Sequence, residues 1–476
     1  MLLKDKSIRK MKTNSKLFDK DKIIYIFGLI TFLGLGIISL IYYKERTIFT
    51  DTAFHLFYIL KDSDFAFQNF RYGAIFTQAI PLITSKLGWA LPSILKIYSV
   101  GFILLYLLVF IIIAKVYDNT KLALGFVLFS VLMITDSFYW IVSELPQGVA
   151  FIFLFFAFLS KNKRIHQSDW VTQIVLFEMI LALTFFQPLL IFVILFGALY
   201  YFLFQQVEIP EKTSFRILIY SVIITFLKGK ILTTEYEANA YGGLKNFITL
   251  FPNYFDIPSN HKFIQYLFFD YFFLLIGFLV LVIFFLRKRE LFKLSYFMVA
   301  FIGFLAVINI SLPEGADQFY IENRYLPLSF FVILPFVYEI YPRIKSHWVW
   351  AIGLVLIFRV FYIGNNHQEF TARLDWFRNK IELAEQSKHP KQIILDKNIP
   401  IDTVIMTWSS PYEFWLLSTL ENQKTSSILI HDKPTSLDWA IHKKKAFFTQ
   451  WGIFDYKDLP ERYFIFRDSS LYKVVK

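Results

Sequence analysis

Residues 23–43 read IIYIFGLITFLGLGIISLIYY, twenty-one residues without a charge. At the helical rise this stretch is roughly 31 Å long, which matches the hydrocarbon core of a bilayer. The 22 residues before it hold eight Lys or Arg. That lead is too long and too mixed for a cleavable signal peptide, and no small-residue cleavage site follows it. The expected arrangement is a retained membrane anchor with a cytoplasmic N-terminal segment, 1–22.

The rest of the chain supports the same class. Of 476 residues, 56% are hydrophobic and 20% aromatic, with 58 Phe, far too apolar for ordinary water-soluble domains of this size. The net charge is +12, but the basic residues lie scattered between apolar blocks. That pattern suits membrane orientation and speaks against nucleic acid as a partner. The absence of Cys excludes a disulfide-stapled ectodomain, a cysteine nucleophile and a thiolate zinc site. No Gly-rich phosphate loop, HExxH or GxSxG occurs, which removes the usual support for NTP-driven pumping, metalloprotease or serine-hydrolase chemistry.

Further apolar blocks run over 93–114, 121–135, 146–160, 170–186, 188–205, 215–228, 264–286, 294–312, 326–341 and 348–363. With 23–43 they predict an all-α polytopic bundle of about eleven transmembrane helices occupying 23–364. With the N-terminus inside, the connections 115–121, 161–164, 208–216, 287–293 and 343–345 face the cytoplasm, and each is short and basic, as the positive-inside rule requires. The long loops 44–92 and 229–263 then face outward. So does the tail 365–476, where short apolar runs, alternating polar residues and repeated prolines indicate a small soluble α/β domain. Within it an amphipathic helix is expected over 369–386, strands over 403–407 and 427–430, and a closing hairpin over 463–475. The location is a multi-pass cell inner (plasma) membrane protein. No internal repeat is visible, which weakens transporter architectures built from duplicated halves.

Polar chemistry concentrates outside. Residues 45–58 read ERTIFTDTAFHLFY; Thr50 or Asp51 can cap a helix running to about Leu60, too short to cross and so expected at the membrane surface. Asp51 and His55, four apart, share one face of it. A second amphipathic segment follows over 65–86. Asp51 has two readings, as a helix cap or as a base that takes a proton from an incoming hydroxyl or amine. His55 suits packing or hydrogen bonding better than metal ligation. Asp136 and Glu144 flank a short outer loop and could converge near Asp51, to orient an acceptor or to hold a divalent cation, or could simply cap helix ends. Residues 313–327 read PEGADQFYIENRYLP. Arg324 there can grip a phosphate bidentately, or snorkel, or pair with Glu322 or Asp317. Glu235, Glu237 and the Gly242-Gly243 turn suggest a flap. Trp89, Trp140 and Tyr139 fit either interfacial anchoring or sugar stacking. Glu178, Asp270, Glu339 and Arg359 fall inside predicted spans, where charge usually faces a cavity or a partner.

A Lys-rich N-terminus, one span, a long outer loop with an early acid at Asp51, interfacial helices, about eleven spans, an Arg324-Tyr325-Leu326-Pro327 element before a late span and an outer soluble domain together resemble the GT-C fold. That is the group of membrane glycosyltransferases that includes protein O-mannosyltransferases and the lipid A aminoarabinose transferase. The resemblance covers most of 20–365 as architecture. It implies a polyprenyl-phosphate sugar as donor, a glycan, lipid or protein as acceptor, and inversion without a covalent intermediate. It implies Asp51 as catalytic base, with substrate binding by His55, the Asp136 and Glu144 region, Arg324 and Tyr325. Where the family pattern has an acidic pair in the first loop, this chain has a lone acid, Thr50-Asp51-Thr52. A polysaccharide polymerase or ligase would instead place its chemistry in a large late loop, a flippase or transporter would show duplicated halves and mid-membrane charges, and a non-catalytic scaffold would not need Asp51.

Overall fold

The computed structural model describes residues 2–204, 208–433, 437 and 441–475. Helix α1 (Leu2–Ile41) carries the 23–43 block. A short α2 (Tyr43–Thr47) leads into the first long loop, which contains α3 (Thr50–Asp62) and α4 (Ile75–Lys86). Then come α5 (Leu91–Ile111), α6 (Thr120–Leu132), α7 (Glu144–Lys161), α8 (Trp170–Thr184), α9 (Leu190–Leu203) and α10 (Glu211–Ile231). The second long loop holds α11 (Glu235–Gly242) and α12 (Asn246–Thr249). Beyond it run α13 (Pro258–Phe269), α14 (Phe272–Lys288), α15 (Leu291–Ser311), α16 (Gln318–Pro335) and α17 (Ser346–Asn365). Local chemistry sets several of these starts. Asn119 and Asp169 accept the N–H groups of Leu122 and Thr172 at the N-caps of α6 and α8, and Pro258 opens α13 where a missing N–H costs nothing.

Each apolar block is mainly helical, but 264–286, expected as one span, is broken at Asp270-Tyr271, 121–135 leaves the helix after Leu132, and residue 205, the end of another block, lies outside the described residues. Six helical segments among the described residues are long and apolar enough to cross a membrane, or seven if α13 and α14, bent by 92°, count as one span. Helices α6, α8 and α9 are shorter; the 13 residues of α6 reach only roughly 20 Å. Large apolar side chains stand exposed on the outer helix faces, among them Leu33, Ile37, Phe226, Val299 and Phe361. An apolar surface of that extent suits lipid and not water.

Helix α16 is the central post, with every side chain from Tyr325 to Pro335 buried. Helix α1 packs on α5 and α17. A Cβ at Gly353 would come within 2.4 Å of the Phe27 ring, so the α1–α17 approach depends on that glycine. The basic connections gather at one end of the bundle. There Lys20 donates to the Ile344 carbonyl, Lys121 pairs with Glu208 at 2.8 Å, and Lys293 and Arg343 both pair with Glu339.

At the other end sits the tail. Helix α18 (His367–Gln386) is followed by β1 (Gln392–Leu395), α19 (Ile401–Val404), α20 (Ser410–Asn422), β2 (Ile428–His431), β3 (Ala446–Phe448), β4 (Ile453–Asp455) and β5 (Lys473–Val475). Strands β2-β1-β5 form a parallel sheet, and β3 and β4 an antiparallel pair. The helix expected over 369–386 and the strand over 427–430 are present. The strand expected over 403–407 is not. Pro400 starts the turn of α19 there, and Ile405 takes a positive φ of 63°, which breaks an extended run. The expected closing hairpin is also absent. Ile465 is tied to Thr425 by two hydrogen bonds, and β5 joins β1 in parallel instead of turning back on its own neighbour.

The tail shares its core with the first long loop. One apolar cluster joins Leu56 and Phe57 of α3 and Tyr98 of α5 to Phe377 of α18 and Tyr412 and Trp415 of α20. Helix α3 is therefore enclosed between bundle and tail, where the sequence suggested a helix lying on the membrane surface.

Candidate active site

Helix α3 turns one face, Asp51, Phe54, His55 and Tyr58, into a cavity of about 1180 Å³. These positions are i, i+3, i+4 and i+7, the repeat that aligns side chains along one helical stripe. Neither Thr50 nor Asp51 is the N-cap; Phe49 stands there without a side-chain cap bond. The first turn is held from outside, because the Thr50 N–H donates to Glu413 Oε1 at 3.0 Å. Glu413 is fully buried, takes the Ser409 hydroxyl at 2.5 Å and pairs with Arg373. Thr50 itself has φ 35°, a left-handed conformation that a β-branched residue adopts only under constraint from its surroundings.

Asp51 Oδ2 accepts the Trp140 indole N–H at 2.9 Å. Burial pushes the Asp51 carboxyl above its ordinary value, while Trp140 and the nearby Arg71 charge pull it back. His55 Nδ1 lies 2.9 Å from the Ala66 carbonyl. A carbonyl can only accept, so Nδ1 carries the proton and Nε2 keeps the lone pair. Burial pushes the His55 pKa down to about 4, and the ring is neutral near pH 7.

Arg71 pairs with Glu144 at 3.2 Å and lies 5.6 Å from the Tyr236 ring centroid. Burial works against its charge, but Glu144, Tyr236 and Glu237 outweigh burial and hold the guanidinium above its ordinary value. Arg324 reaches the same cavity, stacks 4.6 Å from the Tyr320 ring and donates to its hydroxyl. Among the described residues no carboxylate lies within ion-pairing distance of Arg324. Glu322 turns away from it, accepting the N–H groups of Thr135 and Ser137 at 2.7 and 3.0 Å and the Tyr271 hydroxyl at 2.9 Å. The apolar wall comes from Phe192 of α9 and Val307 and Ile308 of α15.

Four residues singled out in the sequence thus line one cavity: Asp51, His55, Glu144 and Arg324. Asp136 and Tyr325 do not. Asp136 takes the Asn366 amide on the far side of its 3-10 turn, and burial together with Glu322, Glu369 and Asp270 pushes its carboxyl well up. Tyr325, one residue after Arg324, is turned about 100° round α16 and donates to Asn309 Oδ1 at 2.6 Å. The intramembrane charges have other partners. Arg359 is fully buried and bonds the carbonyls of Val131, Ile134 and Asp270, Asp270 takes the Tyr362 hydroxyl, Glu339 sits in the basic end, and Glu178 is exposed on α8.

Other residues line the cavity beside these four. Arg71 was read only as part of the amphipathic segment 65–86, and Trp408 and Trp451 come from the tail. Trp140, read as an anchor or a stacking ring, is the partner of Asp51. Tyr236 and Glu237 of α11, in the loop read as a flap, close one side. Among the described residues no three of His, Asp or Glu come together as a cation's ligand set. Glu144, one of the two acids considered for a cation, instead faces the Arg71 guanidinium. No family model, no curated protein and no solved structure matches the chain.

Proposed function

We propose that this protein is a polytopic glycosyltransferase of GT-C type, with the N-terminus cytoplasmic and the cavity on the outer face of the inner membrane. The donor is a polyprenyl-phosphate sugar and the acceptor an exoplasmic hydroxyl or amine. All eleven apolar helices are membrane-embedded in this proposal, the short α6 enclosed by the bundle and α8 at its lipid-facing edge, where Trp170, Val171, Ile174 and Val175 are exposed. What supports it is one arrangement: Asp51 and Arg324, far apart in the chain, line a single cavity with an apolar wall at one side.

In this reading the isoprenoid lies against the Phe192, Val307 and Ile308 wall, and its phosphate meets Arg324, whose guanidinium has no carboxylate partner to displace. Asp51 accepts the proton of the acceptor O–H as its oxygen attacks the anomeric carbon. The new C–O bond forms while the bond from that carbon to the phosphate oxygen breaks, and polyprenyl phosphate leaves with both electrons. Attack from the face opposite the leaving group inverts the centre. Trp140 orients the base and stabilises its ionised form, and Arg71 neutralises Glu144 so that a second carboxylate does not compete for the proton.

The test is transfer from radiolabelled polyprenyl-phosphate sugars by the full-length chain in nanodiscs. Asp51→Asn and Arg324→Ala are expected to lower turnover by about 10²-fold or more while expressing normally. Wild-type turnover by Asp51→Asn would overturn the reading.

A further inference from the structure

The cavity is divided by charge. Arg71, Glu144, Glu237 and Arg324 come from the bundle and its loops, whereas the side chains contributed by the described residues of the tail are Met406, Trp408 and Trp451, none of them charged. The two indoles lie 4.9 Å apart, inclined by 49°. Phe54, one turn past Asp51 on the same stripe of α3, packs edge-on against both, at 5.9 Å from Trp408 and 5.4 Å from Trp451. Trp451 sits in the turn joining β3 and β4, where both the Thr449 N–H and its hydroxyl donate to the Gly452 carbonyl. The turn is therefore fixed, yet it leaves Trp451 58% exposed at the rim of the cavity. An indole held out of a core in a fixed orientation, beside a second indole and a bracing phenyl ring, offers apolar faces with no charge.

We infer that the acceptor is a saccharide whose ring stacks on the Trp408–Trp451 shelf, with the hydroxyl to be glycosylated turned toward Asp51. A pyranose presents a face of C–H groups that packs on an electron-rich indole while its hydroxyls point sideways to water or to polar groups. A peptide acceptor would call for main-chain hydrogen-bonding partners along its length. A lipid acceptor would call for a second apolar wall continuous with the bundle surface, and the Phe192, Val307 and Ile308 wall is already taken by the donor chain. The chemical step rests on the transferase reading above: the acceptor O–H gives its proton to Asp51 as its oxygen bonds the donor's anomeric carbon and polyprenyl phosphate departs. Occupation of the shelf does not depend on that step.

The experiment measures binding separately from turnover. Full-length protein in nanodiscs is titrated with maltotriose and with triacetylchitotriose, followed by indole fluorescence and saturation-transfer NMR, with a short Ser/Thr-rich peptide in parallel. Trp408→Ala and Trp451→Ala are each expected to weaken saccharide binding by about tenfold or more, and Trp451→Phe by much less. Thermal melting of each variant checks folding, and the exposure of Trp451 makes its replacement structurally mild. Absence of binding by either saccharide, binding indifferent to both alanine variants, or capture of the peptide in place of the saccharides would overturn the inference. Saccharide binding on the shelf without transfer from any polyprenyl-phosphate sugar would remove the transferase reading and leave the shelf standing. Transfer onto the peptide would do the reverse.

Discussion

Asp51, the proposed base, is held against its own preference. Burial favours its neutral form, but a base must be ionised, so the acid limb of kcat/KM is expected above the ordinary aspartate value of 3.8. Trp140→Phe removes the indole donor that stabilises the anion and should shift this limb further up in a pH–rate profile. A carboxyl whose folded pKa is raised favours folding at low pH and loses that contribution as pH rises from 3.8 through the folded value. At neutral pH Asp51 therefore costs stability. Asp51→Asn should lower turnover on the order of 10²- to 10⁴-fold while leaving the melting temperature equal or higher. His55 has the opposite dependence. Its pKa falls from 6.5 to about 4 on folding, so the unfolded chain binds more protons in that window and stability declines as pH drops through it. His55→Gln should flatten the decline in melting temperature between pH 6.5 and 4. The shared face of Asp51 and His55 was legible from their spacing; that Phe54 and Tyr58 extend it into the cavity was not. That Trp140 meets Asp51 was not, because the contact joins segments with no local pattern in common.

At the scale of elements, two buried ionic groups act on helix ends. Arg359 looked like an intramembrane functional charge, yet it supplies donors to the carbonyls of Val131 and Ile134 where α6 ends inside the bundle. A short helix that stops in an apolar interior leaves unsatisfied carbonyls, and the guanidinium, able to donate five hydrogen bonds, covers them. Arg359→Met should destabilise the fold by several kcal/mol, since each stranded buried acceptor costs about 1–3 kcal/mol, read as a lowered unfolding midpoint with no change in the pH profile of residual activity. At the start of α3 the buried Glu413–Arg373 pair closes the first turn from the tail. Glu413→Ala leaves Arg373 buried without its counter-charge, a loss of about 3–5 kcal/mol, and frees the turn that aims Asp51. A fall in kcat should therefore accompany the fall in stability. Sequence reading found both helices, but it could not find these two contacts, in which the ionic group lies hundreds of residues from the helix end it serves.

For the whole molecule, the gathering of Lys20, Lys121, Lys293 and Arg343 at one end of the bundle and of the cavity and tail at the other predicts a sidedness. The native chain has no Cys, so single cysteines report position directly. Lys457→Cys in the tail should react with a membrane-impermeant maleimide on intact cells, and Lys345→Cys only after permeabilisation. The reverse pattern would place the cavity on the cytoplasmic side. The tail, expected as a separate outer domain, shares its core with the first long loop. Its removal should therefore unfold α3 as well as remove the Trp408–Trp451 shelf.

By itself the sequence determined the class of this molecule. Apolar runs as long as a bilayer is thick, separated by short basic connections, can be stable only as helices in lipid, and that follows from composition and period alone. The convergence of Asp51, Glu144 and Arg324 with Arg71 and two tail tryptophans was decided only in three dimensions, as was the exclusion of Asp136 and Tyr325. A cavity is formed by side chains from many segments. Which way each one faces depends on how whole helices pack and turn against one another, and no local pattern along the chain records that packing.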